Sequence, residues 1–209
     1  NFSNEKIQSL TATVENPIVD VSANFQVIND KIYFSNNVTS LDENGSPIMQ
    51  LVTPKQYGKT IGYFNIKAQK EIKFGKFALD NKVMFQQVSQ DENIVNVPSF
   101  LTRNTIYYTD RLFKKALFLQ TGITLNYHTK YYGNDFNPII GEYFVQNNKK
   151  IGGFPTFDFF LNAKIRTARV YLNLEHFNSS LTGYNFYATP TRPFHDMTLR
   201  CGSVWDLFN

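Results

Sequence analysis

The 209-residue chain has one cysteine, one tryptophan and three histidines. It also has no run of about 20 consecutive apolar residues, the length each membrane-spanning helix needs. That absence excludes a helical membrane protein. The lone Cys201 excludes an intramolecular disulfide and a cysteine-based zinc site, and it reads as a small apolar surface residue. Helical spacing of apolar residues is never sustained, and no dinucleotide fingerprint, P-loop or HExxH motif is present. Charge is scarce, at 18% of residues and a net +4, and the bases are spread along the chain. Nucleic acid is therefore not expected as a partner. The first residues, Asn1-Phe2-Ser3, lack an initiator methionine, a basic segment and an apolar leader. A strand pattern is already running by Lys6, so residues 1–209 are expected to be one segment, the C-terminal portion of a longer chain.

Aromatic residues are abundant, at 16% with 20 Phe and 12 Tyr, while mean hydropathy is an ordinary −0.32. Alternation reconciles the two. From Phe157, every second residue is apolar (Phe157, Phe159, Leu161, Ala163, Ile165), with Asp158, Phe160, Asn162 and Lys164 between them. After Arg166-Thr167 the pattern resumes with Ala168, Val170, Leu172 and Leu174 against Arg169, Tyr171, Asn173 and Glu175. Side chains on a strand alternate between two faces. This stretch therefore predicts a hairpin with one apolar and one ionic face, the pattern of a transmembrane antiparallel up-and-down β-barrel.

The same reading along the chain predicts about ten strands. Tight turns are expected at Asn29-Asp30, Phe74-Gly75-Lys76, Phe113-Lys114 and Arg166-Thr167, with a further turn at Asn16-Pro17. Long loops are expected at 36–56, 89–98, 129–155 and 178–196. Long and short connections alternate, as they do when one rim of a barrel faces the periplasm and the other the outside. Ten strands would close only a narrow barrel, so a larger parent barrel is expected.

The second half resembles the putative-porin family of bacteroidete outer membranes. The resemblance runs through Tyr107-Tyr108, Arg111 to Leu117, Gln120-Thr121-Gly122, Lys130-Tyr131-Tyr132, Asn137-Pro138, Phe144 to Asn147 and Phe154-Pro155. It continues through Asp158, Phe160, Ala163-Lys164-Ile165, Glu175-His176, Asn178, Gly202, Trp205 and Phe208. It implies a C-terminal barrel segment in the outer membrane of a Gram-negative, bacteroidete-type bacterium, and it supplies no substrate. The chain departs from the usual barrel ending, because Asn209 follows the terminal aromatic Phe208.

The expected function is passive diffusion of small hydrophilic solutes with a preference for anions. The alternative is a non-conducting accessory or structural barrel in a larger outer-membrane transport or secretion complex. The expected pore-lining residues are Lys67, Lys82, Arg103, Arg111, Asp158, Lys164, Arg166, Arg169, Glu175 and Arg200, joined by Lys73, Asp20, Glu71 and Asp80. Such a wall favours anions, unless its charges only pair across strands. Tyr108, Tyr127, Phe177 and Trp205 are the expected interface aromatics, with Tyr184 among others near strand ends. His128, His176 and His195 would form a metal or proton-relay site only if folding gathered them; as isolated rim residues they are merely polar. No nucleophile sits in a recognisable motif, so no enzyme, cofactor or metal is expected. Expected partners are outer-membrane lipids, the barrel-assembly machinery through the last strand, and other outer-membrane proteins.

Overall fold

Alternating sequences with many aromatic and β-branched residues fit a pleated, half-buried surface, and the chain folds accordingly. The computed structural model describes residues 2–41, 43–44, 47–181 and 186–205, with the side chains at 38–41 and 47–50 excepted. Strands hold 66% of the residues, and no helix occurs among those described. The strands are β1 (Lys6–Val14), β2 (Asp20–Asn29), β3 (Lys31–Leu41), β4 (Pro47–Tyr57), β5 (Ile61–Phe74), β6 (Phe77–Ser89), β7 (Phe100–Leu112) and β8 (Leu117–His128). They continue as β9 (Asp135–Asn137), β10 (Glu142–Val145), β11 (Thr156–Ile165), β12 (Ala168–Glu175), β13 (Tyr187–Thr189), β14 (Arg192–Pro193) and β15 (Thr198–Trp205).

Nine of these make one antiparallel up-and-down sheet in the order β1-β2-β5-β6-β7-β8-β11-β12-β15. Of the about ten strands expected, nine lie in this sheet and the one from Lys31 belongs to a second sheet, and the main sheet does not close on itself among the described residues. Its edge strands are β1, exposed along its whole length, and β15.

The registers put every tight connection at one rim. Val14 pairs with Val21, Phe74 with Phe77, Leu112 with Leu117 and Ile165 with Ala168. The long connections lie at the other rim, where Lys6 pairs with Asn29 and Leu101 with His128. Asn29-Asp30 is therefore not a tight-rim turn, and Asn16-Pro17 takes that place. Asp30 is a left-handed corner (φ 56°) at which β2 leaves the main sheet and continues as β3.

The expected loop at 36–56 is also corrected. β3 and β4 form a hairpin from Lys31↔Tyr57 to Leu41↔Pro47 that prolongs the β2–β5 pair beyond the rim. Its residues Ser35-Asn36-Asn37 and Thr53 give no apolar-to-polar contrast, so period two is invisible there. Strand β10 adds to β3 in parallel, with Phe144 beside Phe34, and β9 completes this four-stranded sheet.

Burial follows the same division. A small core of Ile28, Tyr57, Ile61 and Ile94 packs where the hairpin leaves the sheet, flanked by Tyr33, Val88 and Val95. The Tyr57 hydroxyl accepts the N–H groups of Asp91 and Glu92 at 3.2 and 3.3 Å, tying the 90–99 loop to that corner. Beyond that corner, most large apolar side chains of the nine-strand sheet lie on its outer face, while Phe118, Phe160, Tyr171 and Val204 lie on the other.

Candidate functional site: the polar face and its mouth

Cross-strand partners share a face, so the registers sort every side chain of the sheet. One face carries Leu10, Phe25, Phe64, Ile66, Phe85, Ile106, Ile123, Val170, Leu199 and Trp205, all exposed. A contiguous apolar surface across nine strands far exceeds what a water-soluble monomer shows. Its charged members are Lys6, Lys70 and Asp110, and each is dealt with at a rim. Lys6 begins β1. The Lys70 ammonium reaches the Pro17 carbonyl in the first tight turn. Asp110 accepts from Lys76 Nζ at 2.6 Å and from the Tyr108 hydroxyl at 2.7 Å. Long side chains that carry charge to a rim are typical of apolar surroundings.

The opposite face is polar. It holds Lys67, Lys73, Lys82, Arg103, Arg111, Lys164, Arg169 and Arg200 against Asp20, Glu71, Asp80, Asp158 and Glu175. Arg166 is not on it: that residue sits exposed in the β11–β12 turn, at φ 51°. Eight bases against five acids leave an excess of three. Part of the charge is neutralised locally. Glu71 pairs with Lys73 at 2.7 Å and Asp80 with Lys82 at 3.4 Å, each within one strand, while Glu175 pairs with Arg200 at 3.1 Å across strands. Three like-charged pairs stand directly opposite, Glu71↔Asp80, Lys82↔Arg103 and Lys164↔Arg169, an arrangement that costs stability on its own.

This face is concave. A cavity of about 520 Å³ is lined from six strands, by Glu71, Lys82, Arg103, Thr124, Asn162 and Glu175 among others. Glycines keep its wall flat. A Cβ on Gly122 would lie 2.6 Å from the Tyr107 Cβ and 2.3 Å from the Ile106 carbonyl, and one on Gly202 would lie 2.5 Å from the Tyr171 hydroxyl. Each tyrosine is the glycine's cross-strand neighbour, and the Tyr171 ring lies over Gly202. The Tyr107 hydroxyl donates to Glu71.

The interface aromatics fall at both ends. Tyr108 packs on Phe77 (centroids 5.2 Å) at the tight rim, where Trp205 is also exposed. At the long-loop rim, Tyr127 lies on the apolar face, and Phe177 packs on Phe157 at 6.1 Å. Tyr184 and residues 206–209 lie outside the described residues.

The histidines are not isolated. His128, His176 and His195 gather at the long-loop mouth around Phe154, with ring centroids 6.3 Å (His128–Phe154), 6.4 Å (Phe154–His176) and 6.0 Å (His176–His195) apart. His176 is fully buried at φ 51°, its Nδ1 bonded to the His195 carbonyl at 2.8 Å. Among the described residues no group of three or more His, Cys, Asp or Glu could hold a metal. Sequence reasoning missed Phe154, Phe186 and Phe194 here, because the loops carrying them have no period to read.

A family model for putative porins matches residues 1–209. The chain belongs to the putative-porin family. No curated protein matches it. Among solved structures, the siderophore receptor PirA from Acinetobacter baumannii, a β-barrel, aligns with 95% of this chain at a TM-score of 0.55 and 13% identity. The chain spans 31% of that receptor's length. At such low identity the likeness concerns the fold alone. Family and fold together support an outer-membrane, porin-like role in general terms.

Proposed function

We propose that this porin-family chain is one arc of a closed barrel that lets small hydrophilic solutes diffuse passively across a bacteroidete-type outer membrane, with a preference for anions. The observation that carries the reading is the sorting of side chains: one exposed apolar face across nine strands and one concave charged face. An apolar band belongs against lipid and a polar interior against water. Closure follows from the edges. β1 and β15 keep the same two-sided pattern as the inner strands, and open sheet edges are not tolerated in hydrocarbon, so further strands pair with both. The proposed partners are outer-membrane lipids, the assembly machinery reading the last strand, and neighbouring outer-membrane proteins. Nothing in the reading requires catalysis or a cofactor.

Anion preference rests on the excess of three bases on the polar face, with Arg103, Arg111 and Lys164 outside the ion pairs described above. A wall of Lys and Arg raises the local concentration of anions. The test is the reversal potential of the purified full-length protein in a planar bilayer under a salt gradient. A shift toward the anion equilibrium potential is expected. Cation preference would refute the basic-lumen reading, and absence of conductance would favour a non-conducting accessory barrel.

A further inference from the structure

We propose that the long-loop mouth of the polar face holds a binding site for a neutral sugar. A cavity of about 430 Å³ lies there, within the size range of small-ligand sites. Its floor belongs to the sheet: Asn126 and His128 from β8, Thr156 and Asp158 from β11, and Glu175 from β12. Its walls are rings from two segments that fold back over that floor, Tyr131 and Phe154 from 129–155 and Tyr187 and Phe194 from 186–197.

The walls are preformed. Tyr131 and Ile151 exchange two backbone hydrogen bonds, at 3.1 and 2.9 Å. Lys149 sits 3.5 Å from the Tyr187 ring centroid and donates to the Pro190 carbonyl at 2.8 Å, joining the two loops. The Thr191 hydroxyl donates to Asp135 at 2.7 Å, a second tie between them. Buried His176 supports Phe154 and Phe194 from behind, and its N–H is fixed by Asp158 at 2.8 Å. Gly152, at φ 82°, lets the His128 ring lie where a Cβ would sit 2.2 Å from it.

The lining chemistry selects the ligand class. Apolar ring faces beside carboxylates and an amide suit a molecule with C–H faces and hydroxyl edges. An anion would meet Asp158 and Glu175. Of the two carboxylates, Glu175 is already paired with Arg200 at 3.1 Å, while Asp158 is held by neutral donors, Asn126 Nδ2 at 2.9 Å and the His176 N–H, so a cation finds at most one unpaired charge. A neutral polyol can still donate to the remaining lone pairs of those oxygens, which accept more than one bond each. Burial holds the Tyr131 phenol above its ordinary pKa, and a neutral phenol can both donate and accept. The proposal deepens the porin reading, since the bound ring would lie in the solute path, but binding itself does not need conduction.

Saturation-transfer NMR and calorimetry on the full-length protein in detergent, with maltose, choline and inorganic phosphate as probes, test it. Maltose should bind, with saturation strongest on its ring C–H protons. Tyr187→Ala and Tyr131→Ala should each weaken it about tenfold, the value of one aromatic contact, while Tyr187→Phe should keep most of the affinity. Strand content by circular dichroism should be unchanged in all three. No maltose binding, stronger binding of choline or phosphate at this site, or maltose affinity indifferent to both alanine variants would overturn the proposal. Maltose binding without bilayer conductance would uphold the site and sink the channel. Conductance without maltose binding would do the reverse.

Discussion

Gly122 shows how a missing methyl shapes the polar wall. The Cβ and Cα of Tyr107 and the Ile106 carbonyl all lie close to the space a Cβ would fill. Gly122→Ala should therefore destabilise the sheet by about 1–3 kcal/mol, the usual cost of overpacking. Adding Tyr107→Ala should recover little of that loss, since alanine keeps the Cβ and Cα that crowd the site and the Ile106 carbonyl remains. Urea midpoints of the single and double variants in bilayers would measure the coupling. A second residue-scale contact fixes the corner at Asp30. The Glu5 carboxylate accepts from Lys31 Nζ at 2.9 Å and from the Ile32 N–H at 3.2 Å. Burial raises its pKa, but the bond to Lys31, the Ile32 N–H and the Lys31 charge together hold it below its ordinary value. Because the folded pKa is the lower one, the contribution is complete above the ordinary value near 4.5 and disappears as pH falls through the folded one. Glu5→Gln should cost about 1 kcal/mol at neutral pH and remove that acid dependence. Hydrogen exchange of the β3–β4 amides, at pH 7 and below 4.5, would read both effects.

At the scale of elements, sidedness is the property that mutation can probe most sharply. Leu172 lies on the apolar face midway along β12, and Asn173 is its neighbour on the polar face. An arginine near mid-membrane on the lipid side costs roughly 2–4 kcal/mol, whereas polar-face changes tune selectivity. Leu172→Arg should fall by that amount in folding yield experiments with lipid bilayers, and Asn173→Arg should fold like the parent. Equal yields would reject the facing. Strands such as β8 and β11 were legible residue by residue, because each buried its contrast in one-in, one-out order. The apparent faults in β5 and β7, Lys70 and Asp110, are rim-seeking charges whose partners, Pro17 and Lys76, lie far away in sequence. The β3–β4 hairpin stayed hidden for a different reason. A strand that neither meets lipid nor lines a wall has no need to alternate.

For the whole molecule, the corrected connections define two unlike ends. The turns around Pro17, Gly75, Lys114 and Arg166 share one rim, and the hairpin and long loops share the other. Short turns belong to the periplasmic side and long loops to the outside. A cysteine at Asn148 should therefore react with an impermeant maleimide on intact cells, and one at Lys114 should not; the opposite pattern would invert the orientation. The first tight-rim turn is Asn16-Pro17 and not Asn29-Asp30, but beyond β5 the alternation of long and short connections was readable from sequence. The mouth was not, because its contacts join residues such as Asp135 and Thr191 that only folding brings together.

The two-sided sheet also has a consequence for how such a chain is exported. Before the strands pair, apolar and polar side chains largely alternate along the chain, and no helix-length apolar run of about 20 residues occurs. A secretion channel that retains long apolar stretches as helices finds none to hold. The polypeptide can thus be threaded through one membrane as an ordinary secretory substrate and become amphiphilic only at the next, when strand pairing gathers its alternate residues onto a single side.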